Sequence, residues 1–268
     1  MHLYREYPPH PLLAGHVACL WTSHAAPNGA PVRHRVLPDN CIDILWQDGA
    51  PLGFVAGMMS RPHRVEVTQP VLTVAVRFLP GAARAFFDLP LQAMQDGHPA
   101  LSELWPRHEA EALAAALWDR VSSAEQGLAV IERALLARLG RALDGGPDRA
   151  SRLVRTAVGQ IERAGGAVRI EELAGTLGVS RQHLAQQFRE RVGLNAKTFA
   201  MVCRFRRASA ALRAGSGNGA GSGAGAIDWA GLAGECGYYD QSHLIHEFQQ
   251  FAGETPQDFA RPRTSRAG

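Results

Sequence analysis

The sequence has few cysteines and no long hydrophobic run. Its four cysteines are far apart and form no Cys-x-x-Cys pair, which argues against a disulfide framework and a structural zinc site. No apolar stretch approaches the roughly 20 residues that cross a membrane. Glu6 stands where a secretion signal would become hydrophobic. We therefore predict a cytoplasmic protein with no membrane segment and no cofactor.

Lysine is almost absent, and the remaining basic residues are unevenly distributed. Lys197 is the single lysine beside 27 arginines, and the whole chain has a net charge of +3. Residues 141–226 hold 14 basic and 6 acidic side chains, whereas residues 227–260 hold 6 acidic side chains and no Lys or Arg. A basic block of net charge +8 within a nearly neutral chain predicts a polyanionic partner.

The first 105 residues are rich in proline and glycine, and short β-type runs lie between these turn residues. Such spacing predicts an antiparallel sandwich or small barrel. From Arg107 onward the pattern becomes helical, and Asp144–Asp148 breaks it. We predict an α+β protein with a β-rich domain over residues 1–143 and an all-α domain over residues 144–268. The predicted strands are Arg33–Leu37, Cys41–Trp46, Phe54–Ala56, Arg64–Val67 and Val71–Phe78.

A leucine-rich stripe precedes the predicted domain boundary and has two interpretations. It packs against its own β-domain, or it forms the seam of a homodimer; a helix with two faces can do both. We predict a homodimer through residues 107–143. The stripe consists of Leu128, Ile131, Leu135, Leu136, Leu139 and Leu143.

The C-terminal half contains an internal repeat. Leu173–Gly178 returns as Leu232–Gly237 at an offset of 59 residues, and after one inserted residue the offset becomes 60. Each copy predicts a helix, a turn at glycine and a second helix, with Ser180 or Asp240 as the N-cap. This is the pattern of a helix-turn-helix, and its duplication favours DNA binding over a purely structural helical pair.

The outward face of each second helix carries side chains that can read bases in the major groove. Glutamine can bind adenine, arginine can bind guanine, and an apolar side chain can touch the thymine methyl group. A solvated polar face is the alternative interpretation. The predicted base-reading residues are Arg181, Gln182, Ala185 and Gln186 in the first copy, and Gln241, Ser242, Ile245 and His246 in the second.

A basic helix is predicted between the two copies, over residues 196–214. Its length of roughly 28 Å is of the order of one turn of DNA, so it can set two reading helices into successive major grooves. The residues predicted to contact DNA phosphates are Arg189, Lys197, Arg204, Arg206 and Arg207.

These signatures resemble the DNA-binding domain of the AraC/XylS family of bacterial transcription regulators. Ile170–Ser180 with Leu184–Gly193 forms the first signature, and Leu232–Phe248 with Gly253–Phe259 forms the second. The resemblance implies a seven-helix domain that binds double-stranded DNA through two recognition helices. It also implies an N-terminal domain, often cupin-like, that senses a small-molecule effector or dimerises. RNA polymerase is a further expected partner of the DNA-bound protein. Residues 36–46 resemble one variant of such sensor domains.

The sequence departs from the family in two places. A glycine-rich stretch at residues 215–225 stands where the family has a short connection, and we expect it to loosen the coupling between the two units. His246, Gln249 and Gln250 also stand where family members more often have arginine.

Polar side chains on and near the predicted strands mark a candidate effector site in the β-domain. A buried carboxylate must be paired or bound to a polar ligand, so a structural Asp–Arg pair is the alternative. Eight of the eleven histidines lie in residues 1–108, but no HxH or HExxH spacing predicts a metal site. Two rival functions stay open: a cupin-type metal-dependent enzyme fused to a DNA-binding domain, and a constitutive regulator without effector. The candidate effector residues are Arg35, Asp39, Asp43, Trp46 and Arg77.

Overall fold

A computed structural model describes residues 2–27, 30–119, 124–143, 149–217 and 227–261. Its N-terminal part is built from antiparallel strands. The strands are β1 (His2–Tyr7), β2 (Val17–Ala25), β3 (Val32–Val36), β4 (Ile42–Gln47), β5 (Ala50–Ala56), β6 (His63–Val67) and β7 (Val71–Phe78).

Five of these strands form one sheet, in the order β1-β2-β7-β4-β5, and β3 pairs with β6 in a separate two-stranded sheet. The pair β4 and β7 lies at the centre because its sequence is nearly continuously apolar; Ile44, Trp46 and Val76 are fully buried. Strand β1 lies at the edge and is mostly exposed. The cupin-like character of this part stays a prediction.

The predicted strands are confirmed within a few residues at their ends, while β1 and β2 were missed. The exposed edge strand β1 has no hydrophobic alternation to detect. In β2 the pairing with β7 shifts register between Val17 and Cys19, and this irregularity breaks the period-two pattern.

Three helices follow the sheet: α1 (Leu101–Leu104), α2 (Arg107–Trp118) and α3 (Ala124–Leu143). The leucine stripe lies on α3, and Ile131 and Leu135 are fully buried within the same chain. They belong to a core that also contains residues of the β-sheet and of α2. The intramolecular interpretation of the stripe is thus confirmed for its buried members.

The C-terminal half contains seven helices within its described residues. All predicted helices are present, and the connecting helix continues to Gly217 rather than ending at Ala214. The helices are α4 (Arg149–Arg163), α5 (Ile170–Thr176), α6 (Arg181–Arg191), α7 (Ala196–Gly217), α8 (Trp229–Glu235), α9 (Gln241–Ala252) and α10 (Pro256–Ala260).

Two hydrophobic cores are present within the described residues, and the division into domains over residues 1–143 and 144–268 stays a prediction. The larger core contains the β-sheet, α3, α4 and both helices of the first helix-turn-helix. The smaller core contains α8, α9 and one side of α7.

The predicted boundary at residues 144–148 lies outside the described residues, as do residues 218–225 of the glycine-rich stretch, Arg263 and Arg266. No helix in the described part of the chain is long and apolar enough to span a membrane.

Candidate DNA-binding interface

The first helix-turn-helix, α5 with α6, is fixed by a short turn and an N-cap. Gly178 has a φ of 68°, a conformation that glycine adopts without strain. The Ser180 side chain accepts a hydrogen bond from the backbone N–H of His183 at 3.1 Å, as predicted for the N-cap. Leu184 and Phe188 are fully buried, so the opposite face of α6 must point outward.

The base-reading residues predicted for α6 lie on this outward face. Arg181, Gln182 and Gln186 are exposed, and Ala185 is half-buried. Arg181 lies 3.4 Å from a carboxylate oxygen of Glu171, and Gln186 donates a hydrogen bond to Glu190 at 2.9 Å. Both contacts are at the surface, where such pairs stabilise a protein little.

The second helix-turn-helix, α8 with α9, repeats this construction. Gly237 has a φ of 80°, and Asp240 accepts a hydrogen bond from the N–H of His243 at 2.8 Å, as predicted. Leu244, Phe248 and Phe251 are fully buried. The outward face of α9 exposes the predicted readers Gln241, Ser242 and His246, with Ile245 half-buried.

A buried ion pair, which sequence reasoning missed, joins α9 to the connecting helix. Glu247 is fully buried, and its carboxylate accepts hydrogen bonds from Arg204 at 2.5 Å and lies 3.1 Å from Nε2 of His243. Arg204 also donates to the backbone oxygen of Gly166 and lies over the Tyr238 ring. Glu247 occupies the position that matches Gln187 in the first copy, and the structure shows that both side chains are buried.

The predicted role of Arg204 as a phosphate contact is therefore corrected. Its side chain is 14% exposed and is held between Gly166, in the turn after α4, and Glu247 on α9, so its charge is already compensated within the fold. Arg189 and Lys197 are exposed and form no ion pair within the described part of the chain, which leaves them available to phosphates. Arg206 and Arg207 are exposed but line a cleft that also contains β-domain residues.

The β-domain is docked directly onto the DNA-binding half, another feature that sequence reasoning missed. Asn40, in the loop between β3 and β4, has a φ of 64° and is 1% exposed. Its amide donates to the backbone oxygen of Phe199 at 3.0 Å and contacts Sγ of Cys203 at 3.3 Å. Arg35 on β3 donates to the backbone oxygen of Ala252 and to the carboxylate of Glu254. The β-domain thus contacts α7 and also the end of α9.

The five predicted effector residues do not converge on one cavity in the β-sheet. Asp43 binds Arg77 through two hydrogen bonds of 3.0 and 3.1 Å, and Trp21 donates to it as well. The same arginine lies 3.4 Å from Asp39, so the alternative of a structural Asp–Arg pair describes Asp43. Trp46 is fully buried in the core.

Arg35 and Asp39, by contrast, line the cleft between the two halves of the molecule.

A metal site was not predicted. No group of three or more His, Cys, Asp or Glu side chains within the described residues could hold a metal ion.

Two protein families match this chain. Residues 173–262 match a family described as a helix-turn-helix domain, of AraC type. This match covers both turns, both recognition helices and the connecting helix described above. The C-terminal part of the chain is therefore an AraC-type helix-turn-helix domain. The chain is accordingly a DNA-binding transcription regulator, and residues 5–99 match a domain of unknown function, DUF6597.

Solved structures of transcription regulators are distantly similar to this chain. ToxT from Vibrio cholerae is 9% identical over 97% of both chains, with a TM-score of 0.40. ToxT with a bound unsaturated fatty acid is 12% identical over 86% of this chain and 94% of that one, with a TM-score of 0.37. The xylose-binding transcription activator XylR is 17% identical over 52% of this chain and 39% of its own, with a TM-score of 0.32. None of the curated proteins matches the chain.

Proposed function

We propose that this regulator recognises a DNA operator of two half-sites, one read by α6 and the other by α9. The observation that carries the proposal is the matched exposure of the two helices. In both, the polar readers at corresponding positions, 60 apart in sequence, are exposed, the apolar pair Ala185 and Ile245 is half-buried, and the leucine and phenylalanine of each helix are buried. Phosphate contacts come from Arg189 and Lys197, and Arg206 and Arg207 are further candidates.

The length of the connecting helix supports two adjacent half-sites. Helix α7 has 22 residues and is therefore about 33 Å long. One turn of B-DNA is about 34 Å. Two recognition helices carried by such a rod can enter successive major grooves on one face of the duplex.

We also propose that the N-terminal domain controls DNA binding, through a small-molecule effector or through dimerisation, in the cytoplasm. The direct contacts of Asn40 and Arg35 with the DNA-binding half support this control, because a change in the β-domain is transmitted to α7 and α9 without an intervening linker. RNA polymerase is proposed as a partner of the DNA-bound regulator. The proposed domains are residues 1–143 and 144–268.

Selection of binding sites from a random DNA library tests the operator proposal. We expect enrichment of one sequence with two conserved blocks whose centres are about 10 base pairs apart. Gln186→Ala should lose discrimination at one base pair of one block, while Gln92→Ala, an exposed glutamine in the β-domain, should leave the sequence unchanged. A library that yields no enriched sequence contradicts the proposal.

The proposed homodimer through residues 107–143 has its own test. Because the apolar side of α3 packs within the chain, a dimer would have to use the exposed side of this helix. Multi-angle light scattering of the full chain at tens of micromolar should give twice the 28.9 kDa of one chain. A mass of one chain would remove the dimer from the proposal.

A further inference from the structure

A solvent-open cleft of about 960 Å³ lies where the loop between β3 and β4 faces α4 and α7. Five arginines from both halves of the molecule line it, together with two carboxylates, so its lining has a net charge of +3. Cationic clefts of this kind concentrate anions. The charged lining residues are Arg35, Asp39, Glu162, Arg163, Arg206, Arg207 and Arg213.

Most of this positive charge is not compensated within the described residues. Asp39 lines the cleft but also lies 3.4 Å from Arg77, which is not part of the lining, so its negative charge is shared with that arginine. Burial raises the pKa of Glu162, against the opposing effect of Arg206. Arg206 and Arg207 form no ion pair within 4 Å in the described part of the chain. Two guanidinium groups on consecutive residues of α7 are thus free to bind an oxyanion.

Buried polar atoms without partners point to a ligand in the same cleft. Ser209 is 4% exposed, lines the cleft and has a hydroxyl oxygen with no hydrogen-bond partner among the described residues. Nε of Arg35 is likewise buried and without a partner. Native proteins satisfy nearly all buried polar groups, and those left over call for an unseen partner. An oxyanion seated between these side chains would accept from both.

The chemistry of the lining selects the class of anion. Guanidinium groups bind phosphate and carboxylate oxygens in pairs. Apolar lining is limited to a few side chains, among them Leu37, Pro38 and Phe205, too few to bury a long acyl chain. The cleft therefore fits a compact anion that carries two or more negative charges.

Arg35 connects this cleft to the second recognition helix. Arg35 lines the cleft, and its terminal nitrogens donate to the backbone oxygen of Ala252 and to the carboxylate of Glu254. These two acceptors lie directly at the end of α9. A multiply charged anion beside Arg35 competes with Glu254 for the same guanidinium group.

We propose that this arginine cleft binds a small polyanion, of the organic phosphate or polycarboxylate class, and that its binding releases Arg35 from Glu254 and loosens the second helix-turn-helix. The proposal rests on the proposed function, because it names the class of effector and the site through which the N-terminal domain acts. By linkage, an anion that weakens operator binding must itself bind more weakly to the DNA complex.

The first test is anion binding by the full chain without DNA. Inorganic pyrophosphate and citrate serve as probes, and acetate at equal ionic strength is the control. We expect a rise in Tm of about 5 °C at about 100 times the Kd. Arg206→Gln with Arg207→Gln should abolish the rise. Arg133→Gln with Arg169→Gln, which removes the same charge outside the cleft, should keep it. The proposal is overturned if the rise in Tm is retained in the cleft variant, Arg206→Gln with Arg207→Gln. It is also overturned if neither probe binds saturably to the unaltered protein.

The second test is binding to the selected operator, with and without pyrophosphate. We expect the probe to weaken binding about tenfold on the complete operator, and to have little effect on DNA whose second half-site is scrambled. Glu254→Gln should keep the Tm shift but lose this coupling, since it breaks the link to α9 and leaves the cleft intact. Equal weakening on both DNAs would mean that the probe competes for DNA phosphate contacts, which overturns the coupling.

These two tests separate the inference from the proposed function. If no sequence is enriched and no operator exists, the proposed function fails. If specific DNA binding is present but the cleft variant binds pyrophosphate like the unaltered protein, only the inference fails. If pyrophosphate binds and citrate does not, the site is assigned to phosphates. If citrate binds and pyrophosphate does not, the site is assigned to polycarboxylates.

Discussion

The two helix-turn-helix units have the same turns and caps, but different forces hold them in the molecule. Helices α5 and α6 share one hydrophobic core with the β-domain. Helices α8 and α9 have a small core of their own with α7, and Leu37 is a β-domain side chain packed against it. Polar contacts make the remaining connections: Glu247 with Arg204, and Glu254 with Arg35. The first unit thus shares a hydrophobic core with the β-domain. The second unit has a separate core and contacts the β-domain through Leu37 and Arg35.

The largest expected effect is on the free energy of unfolding, when the buried polar side chain at either of the matched positions 187 and 247 is removed. Glu247→Ala leaves the half-buried Arg204 without its carboxylate, and we expect the free energy of unfolding to fall by about 3 kcal/mol. Gln187→Ala removes a neutral side chain that accepts a 3.0 Å hydrogen bond from Arg191, and we expect a fall of about 1 kcal/mol. Urea unfolding of the full chain measures both.

Hydrogen exchange locates the damage in these variants. Exchange should quicken in α8 and α9 of Glu247→Ala and stay slow in α5 and α6. Glu247→Gln should be milder than Glu247→Ala, because the amide oxygen still accepts from Arg204. Equal losses of stability in Glu247→Ala and Gln187→Ala would show that the two units are held alike.

The glycines of the two turns, Gly178 and Gly237, allow a second comparison of stability between the units. Both have positive φ, but a Cβ on Gly237 would lie 2.6 Å from Cβ of Ala167, whereas a Cβ on Gly178 would meet nothing within 4 Å. We expect Gly178→Ala to lower stability by about 1–2 kcal/mol from backbone strain alone, and Gly237→Ala by more. Thermal and urea unfolding of the pair measure the difference. A smaller loss for Gly237→Ala than for Gly178→Ala would contradict the close packing of this turn.

The predicted base-reading residues at matched positions 186 and 246 should also differ. We expect substitution in the first unit to weaken DNA binding more than substitution in the second. Gln186→Ala removes a side chain that can bind adenine in a bidentate manner, and we expect specific binding to weaken by about 1–3 kcal/mol. His246→Ala should weaken it by less, because the basic block surrounds the first unit and docks it on the phosphates. Fluorescence anisotropy with the selected operator and with random DNA measures both. Equal losses for Gln186→Ala on the two DNAs would remove this residue from the base-reading set.

The smallest expected effect concerns phosphate contacts at matched positions 189 and 249. Arg189→Ala should weaken binding to all sequences by a few-fold and reduce the slope of log K against log salt by about 1. Gln249→Ala should leave the slope unchanged, since a neutral side chain releases no counterion. An unchanged slope for Arg189→Ala would place this arginine away from the DNA backbone.

The charge difference between the units is smaller in the structure than in the sequence. The net charge of −6 over residues 227–260 suggests a second unit that DNA repels. Most of these carboxylates have structural roles: Asp228 and Asp240 cap helices, while Glu247 and Glu254 bind arginines. We still expect the second unit to contribute fewer phosphate contacts than the first, but most carboxylates of its sequence are engaged within the fold.

The sequence by itself determined the helix-turn-helix units, because their signals are local or periodic. A glycine at each turn, a Ser or Asp cap and leucine–phenylalanine spacing define each second helix within a dozen residues. Repetition at an offset of 60 then fixed which residues correspond. The central strands were predicted for the same reason, since their apolar runs lie between turn residues. The edge strand β1 was missed, because its pairing comes from a neighbour and not from its own pattern.

Only the tertiary structure decided how the two halves meet. Asn40 docks on a carbonyl of α7, 159 residues away in sequence, and Arg35 reaches Glu254 across 219 residues. Nothing in the local sequence distinguishes these polar side chains from solvated ones. The same holds for Arg204, whose run of basic neighbours predicted a phosphate contact, while packing turned it toward Glu247. Hydrophobic periodicity fixes which face of an element is buried, but the partner of a polar group depends on which elements the fold brings together.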